Sequence, residues 1–248
     1  QQQVVELLNH LREELGFAMV FVSHDLALVA QLAHRITVMY AGQVVETGSA
    51  TEVMSDPRHE YTRGLLGSVL SIEAGQGRLH QVPGVVPSPS EFVAEDRFSP
   101  RSSHPEIGRD VKATLGAPSR GREPGGISMR YQARPRRADT GDDTPVIELR
   151  DVTMIHRARG GKLFHPTLVR AMDHVNLSVH RGETLGIVGE SGCGKSTTAR
   201  VMVGLQKPTS GEVCFYGEPL GRHARDRKAL GRAVSVVFQD PATALNPR

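Results

Sequence analysis

The residues of this chain best suited to chemistry are Gly189-Glu190-Ser191-Gly192-Cys193-Gly194-Lys195-Ser196. Their spacing is G-x-x-x-x-G-K-[ST], a pattern that wraps backbone amides around phosphate. Gly189, Gly192 and Gly194 permit backbone angles and close approach that a side chain would block. The inward-facing N–H groups and the helix N-terminus behind them supply partial positive charge, so a triphosphate is held mainly by main chain. Lys195 is placed to reach the β- and γ-phosphates, and the Ser196 hydroxyl to take one position on Mg²⁺, with Thr197 next along the loop. The alternative, a glycine-rich turn with a surface lysine, is weighed against the flanks. Glu183 to Val188 reads as a buried strand, and Ser196 to Val203 as a helix ending near Gly204. Strand, glycine turn and helix are the setting this chemistry needs.

Other elements must bring further groups to that loop. Val4, Leu7, Leu8, Leu11 and Leu15 share a helical face that Gly16 closes. Ala18 to Val22 reads as a buried strand ending at Ser23-His24-Asp25, before a helix from Leu26 to Leu32. Arg35–Tyr40 and Gln43–Thr47 read as strands turning at Ala41-Gly42. Ser49, with Glu52 three residues on, predicts a capping box at a short helix from Thr51 to Met54, and a further helix covers Glu60 to Leu70. Later strands are expected at Val146–Ile155, Leu168–His180, Glu212–Tyr216 and Val234–Phe238, with a polar helix from Arg222 to Leu230. His24 follows a strand, as a structural histidine often does. Ser23-His24-Asp25 is no hydrolase triad, because three adjacent side chains cannot converge in that geometry.

Composition narrows the class. Over 248 residues, one or two domains' worth, hydrophobic content is 38% and aromatic content 4%. No run approaches the ~18–20 apolar residues that span a bilayer. Polar Gln1-Gln2-Gln3 is not expected to be a secretory leader. Two cysteines, Cys193 and Cys214, make a disulfide framework unexpected and fit a reducing compartment. Net charge is +3, yet nine Arg and one Lys stand against three acids between Arg97 and Arg137. From Gly75 to about Pro145 apolar periodicity gives way to Pro, Gly, Ser and Arg, a texture that cannot offset its own ordering entropy. Some order is expected from Leu79 to His104 and little beyond Arg109. The basic charge could draw nucleic acid, but no aromatics are interleaved for base stacking, so a solvated linker is the plainer reading.

These stretches together resemble an ABC transporter ATPase, of the dipeptide/oligopeptide and nickel importer group. Arg181 to Val188 leads into the phosphate loop. Val237-Phe238-Gln239-Asp240-Pro241 with Ala244 to Arg248 is similar to that group's Q-loop, and Val22-Ser23-His24-Asp25-Leu26 to its H-loop. Val38 to Gly42 with Val45 to Gly48 resembles the strand pair that follows. His59 to Arg63, then Leu79 to Pro87, resembles the group's C-terminal extension. The implied fold class is α/β, P-loop NTPase (ABC ATPase) type, in two incomplete halves joined by a disordered linker.

In the family the phosphate loop precedes the H-loop; here it follows by about 170 positions. The resemblance therefore implies the middle of a tandem fusion of two ATPase domains. Residues 1–74 would end the first domain, 75–108 would be the extension, 109–145 a flexible basic linker, and 146–248 the head of the second domain. Neither a Leu-Ser-Gly-Gly-Gln-like signature nor an apolar strand ending in Asp-Glu is found in the sequence. The isolated chain is thus expected to be weak or inactive as an ATPase. Tandem geometry normally puts His24 and Lys195 in different nucleotide sites. The halves are complementary, however, and in this chain Ala18–Val22 pairing with Thr184–Val188 as a circularly permuted, incomplete domain would bring His24 toward the Lys195 pocket.

The resemblance assigns roles residue by residue. Lys195, His24 and Gln239 would be catalytic: His24 would bond the γ-phosphate, while Gln239 would contact Mg²⁺ or the attacking water. Gly189, Glu190, Ser191, Gly192, Cys193, Gly194, Lys195, Ser196 and Thr197 would bind ATP, with Ser196 and Gln239 on Mg²⁺. His156 stands where the family stacks an aromatic on adenine, and a plain surface histidine is an equal reading. Cysteines that can hold an iron–sulfur cluster in the group are replaced by Asp96 and Ser102, so no cluster is expected. The implied function is the energy-coupling ATPase of a peptide importer, peripheral on the cytoplasmic membrane face. Its partners would be permease subunits, a substrate-binding protein and a second ATPase half, without specific nucleic-acid binding. Alternatives are a soluble ABC-type ATPase acting on nucleic acid or ribosomes, and a nucleotide-binding fragment without activity.

Overall fold

The computed structural model describes residues 2–73, 82, 84–87, 92, 96–102, 144–158, 167–221 and 224–237. The first part of the chain runs α1 (Gln2–Leu15), β1 (Met19–Val22), α2 (Leu26–Leu32), β2 (Arg35–Tyr40), β3 (Gln43–Ser49), α3 (Ala50–Ser55) and α4 (Glu60–Glu73). A 3-10 turn at Ser99–Arg101 follows. The second part runs β4 (Ile147–Ala158), β5 (Thr167–Val179), β6 (Thr184–Val188), α5 (Lys195–Met202), β7 (Ser210–Phe215), β8 (Glu218–Pro219) and α6 (Ala224–Ala233).

Among the described residues two four-stranded sheets result, ordered β1-β6-β2-β3 and β5-β4-β7-β8. The first mixes the two parts of the chain: β6 lies between β1 and β2, parallel to both. Met19 faces Thr184 and Val22 faces Ile187 on one side, while Arg35 faces Leu185 and Val38 faces Val188 on the other. The expected pairing of Ala18–Val22 with Thr184–Val188 is therefore present. Every residue of β6 is buried, as a parallel strand covered on both faces must be. Gly186 makes room for α2: a Cβ there would overlap Val29 Cγ1 and come within 3.1 Å of Ala33 Cβ. The second sheet is antiparallel, with Leu149 opposite both Leu177 and Val213.

Polar contacts lock the same seam. Arg35 Nε donates to Glu183 Oε1 at 2.8 Å, and Arg12 Nη1 donates to Thr184 Oγ1 at 3.2 Å. Arg97 reaches across from the 96–102 segment to Asp173 of β5 at 2.8 Å, with both side chains buried. The turn between β2 and β3 has left-handed Ala41 and Gly42, φ 47° and 86°, the signs that a type I′ hairpin turn requires at both central positions.

The predicted capping box is formed. Ser49 Oγ accepts from Glu52 N–H at 3.2 Å, and Glu52 Oε2 accepts from Ser49 N–H at 2.8 Å. Ser49→Ala should lower the unfolding free energy by about 1 kcal/mol in a urea titration.

One element expected from the sequence is absent. Val234–Val237 lie in neither sheet, with Val236 and Val237 exposed. An apolar run becomes a strand only when a sheet edge receives it. Among the described residues, no strand flanks β1 on the side away from β6. Phe238 and Gln239, and residues 103–143 covering most of the expected linker, lie outside the described residues.

Candidate functional site

The phosphate loop leaves β6 at Val188 and enters α5 at Lys195. Gly189, Gly192 and Gly194 take φ of 150°, 80° and 103°, values in the region that favours glycine. Space reinforces the requirement at two of them. A Cβ on Gly189 would overlap the Met39 carbonyl and stand 2.7 Å from Cys193 Sγ. One on Gly194 would overlap the Ala171 carbonyl. The loop is thus pressed between the β2–β3 turn and β5, and Gly42 N–H donates to the Cys193 carbonyl at 2.9 Å. Ser191, Gly192 and Ser196 remain exposed at its mouth.

Lys195 is half-buried and folds back on the loop. Its Nζ donates to the Gly189 and Glu190 carbonyls at 2.7 and 2.8 Å and lies 3.6 Å from Cys193 Sγ. Burial raises the Cys193 thiol above its ordinary pKa, although the neighbouring ammonium pulls the other way. Thr198, one turn into α5, is buried and donates to the Gly194 carbonyl at 3.1 Å. Glycine cradle, tethered ammonium and helix start together fit the phosphates of a nucleotide.

His24 reaches the same edge of the sheet. Ser23 N–H donates to the Ile187 carbonyl at 3.1 Å, so the chain beyond β1 emerges beside the strand that feeds the loop. Such carboxyl ends of parallel strands are where ligands collect in open α/β sheets. Ser23 and Asp25 have local duties: Ser23 Oγ accepts from Asp25 N–H, and Asp25 caps α2 by accepting from Leu28 N–H, both at 3.0 Å. His24 is left exposed between them. His156 belongs to the other sheet, half-buried in β4 opposite Val169. Gln239 lies outside the described residues.

Sequence reasoning missed the groups that grip the loop from the side. Tyr61 Oη accepts from Glu190 N–H at 2.8 Å, and Arg101 Nη1 donates to Glu190 Oε2 at 3.1 Å. Burial lifts the Tyr61 phenol well above its usual pKa, so it stays protonated. Tyr61 packs on Tyr40 and Phe98 in a buried aromatic cluster, ring centroids 4.8 and 5.5 Å away.

Comparison with known proteins agrees with this geometry. Residues 172–248 match the ABC transporter family, and residues 45–106 match the oligopeptide/dipeptide transporter C-terminal region. The first stretch is thus similar to ABC transporter ATPases at large, and the second to their oligopeptide/dipeptide group. The oligopeptide transport ATP-binding protein OppD of Mycobacterium tuberculosis is 36% identical across the whole chain, which spans 43% of that protein. The glutathione import ATP-binding protein GsiA of Escherichia coli is 31% identical, with 34% of its length covered. The chain thus spans less than half of either relative. The α/β fold with a P-loop is the ABC ATPase one, and the oligopeptide-type region contributes Tyr61 and Arg101 beside the loop. Among the described residues no helix is long and apolar enough to cross a membrane.

Proposed function

We propose that this chain is the nucleotide-binding part of the ATPase of an ABC importer for oligopeptides or dipeptides, and that its loop takes the triphosphate of ATP. The carrying observation is the Gly189–Ser196 loop cradled by Met39, Gly42 and Ala171, with Lys195 Nζ tethered at 2.7 Å to the Gly189 carbonyl. On binding, Lys195 exchanges the two loop carbonyls for phosphate oxygens, so that its ammonium meets a full negative charge in place of carbonyl dipoles. The loop amides and the start of α5 hold the phosphate chain, and His24 meets its terminal group from the neighbouring strand end. Ser196, with Gln239, would hold Mg²⁺, which when bound neutralises charge on the phosphoryl oxygens. His156 would contact the adenine.

The parent protein carries two ATPase domains in tandem, of which residues 1–74 end the first and 146–248 begin the second, with the extension at 75–108 and a flexible linker at 109–145. Alignment of the whole chain within OppD, 36% identical, supports that reading. The parent hydrolyses ATP at the cytoplasmic membrane face, with permease subunits, a substrate-binding protein and a second ATPase half as partners. The chain by itself lacks an acid strand and signature, so it binds nucleotide and turns it over weakly.

Titration calorimetry with Mg·ATP tests the site. Lys195→Ala should abolish measurable binding in a protein that still unfolds cooperatively. Affinity unchanged from the wild type would remove the phosphate-loop assignment.

A further inference from the structure

The 96–102 segment reaches the phosphate loop at Glu190, the first residue after Gly189. An acid there is unexpected on electrostatic grounds, because a bare carboxylate opposes an arriving polyanion. Arg101 removes that opposition. Its Nη1 pairs with Glu190 Oε2 at 3.1 Å and donates to Tyr40 Oη at 3.2 Å. Its Nη2 is rooted on the carbonyls of Val82 and Gly84, at 3.2 and 3.1 Å. The arginine side chain is only 6% exposed, so the charge pair is shielded from solvent on the arginine side. From the other side Tyr61 Oη fixes the Glu190 N–H at 2.8 Å, while the Glu190 carbonyl holds Lys195 Nζ, also at 2.8 Å. One residue of the loop is therefore gripped at amide, carbonyl and carboxylate. Two of the three grips come from the region matched to the oligopeptide/dipeptide transporter C-terminal family.

We propose that Arg101 and Tyr61 are positioning residues of the nucleotide site, and that seating of the extension and occupancy of the loop by phosphate are thermodynamically linked. The inference rests on the nucleotide-binding reading above. Arg101 neutralises Glu190, and Tyr61 orients the Gly189–Glu190 peptide so that its neighbouring carbonyls present Lys195 to the ligand. By reciprocity, bound nucleotide stabilises the extension by the same factor that the extension adds to affinity.

The test is calorimetric titration of the full chain with Mg·ATP, beside thermal unfolding of each variant. Arg101→Met should weaken binding about tenfold, equivalent to about 1.4 kcal/mol. Adding Glu190→Gln to it should restore affinity to within about threefold of wild type, because the charge that needed a partner is gone. Arg101→Lys should retain most of the affinity. Glu190→Gln alone should strengthen binding about threefold, which reads out the charge effect even if Arg101→Met unfolds. Wild-type affinity in Arg101→Met, or a double variant as weak as the single one, would overturn the proposal while leaving the nucleotide site standing. Absence of Mg·ATP binding by the wild type would remove both.

Discussion

Asp173→Asn is expected to lower the unfolding free energy by about 3–5 kcal/mol, the range for breaking one partner of a buried ion pair. Asp173 and Arg97 are 4% and 3% exposed at the side chain, and their 2.8 Å bond joins the 96–102 segment to β5. Gln43 Nε2 and Arg170 Nη1 also donate to the same carboxylate, at 3.0 and 2.9 Å. Asparagine keeps the shape but leaves the Arg97 guanidinium buried without a counter-charge. Burial alone would push the Asp173 pKa up, yet the Gln43 amide and the two guanidinium groups outweigh it and hold the carboxyl below its ordinary value. A depressed folded-state pKa contributes stability that is present above the unfolded value, about 3.9, and is lost as pH falls through the folded one. The gap between wild type and variant should accordingly be full near neutrality and shrink below about pH 4. Urea midpoints across that range measure it. The double replacement of Asp173→Leu with Arg97→Met should cost less than Asp173→Asn alone, since no stranded charge remains. A single-variant loss under about 1 kcal/mol would mean that the pair is hydrated, as exposed ion pairs are.

Why the loop was legible and its grip was not follows from where the information sits. Gly189, Gly192, Gly194 and Lys195 act on a ligand through their own backbone and one side chain, so their spacing along the chain is the signal. Ser49 and Glu52 likewise need only each other, and their capping box formed as expected. Arg97 and Arg101 differ. They stand in a stretch of Pro, Ser and Arg for which only some irregular order was expected, and their partners lie 76 and 89 positions away. Nothing local distinguishes a basic residue that is bound from one that is hydrated. Val234–Val237 erred in the opposite direction, because β-branched apolar residues report a fit to a sheet without reporting whether the run pairs with one of its edges. The β1–β6 pairing was readable only through the complementarity of the two halves, and the place of β2 on the far side of β6 was not, since the contacts that fix this sheet span the chain, as from Arg12 to the Thr184 hydroxyl 172 positions on.

The second large effect tests that sheet order. Gly186→Val should destabilise the chain by about 3 kcal/mol, at the upper end for overpacking a filled core. Gly186 is the middle residue of β6, opposite Phe21 of β1 and Ile36 of β2, with α2 laid directly over it. A Cβ there overlaps Val29 Cγ1, and the Ala33 Cβ at 3.1 Å closes the remaining gap. Val29 is fully buried, so α2 cannot yield by turning this side chain outward; it must lift off the strand. Val29→Ala alone should cost about 1–3 kcal/mol by leaving a void. Combined with Gly186→Val it should recover part of the loss, because the volume added on the strand fills the volume removed from the helix. That recovery, read as a coupling energy in a double-mutant cycle, arises only if the two positions touch. Val29 and Gly186 are 157 positions apart, on opposite sides of the seam, so strictly additive losses would mean that β6 does not lie beneath α2. The same measurement therefore reports on the nucleotide site, for the strand that Gly186 occupies is the one that delivers Gly189 and Lys195 to the edge where His24 emerges.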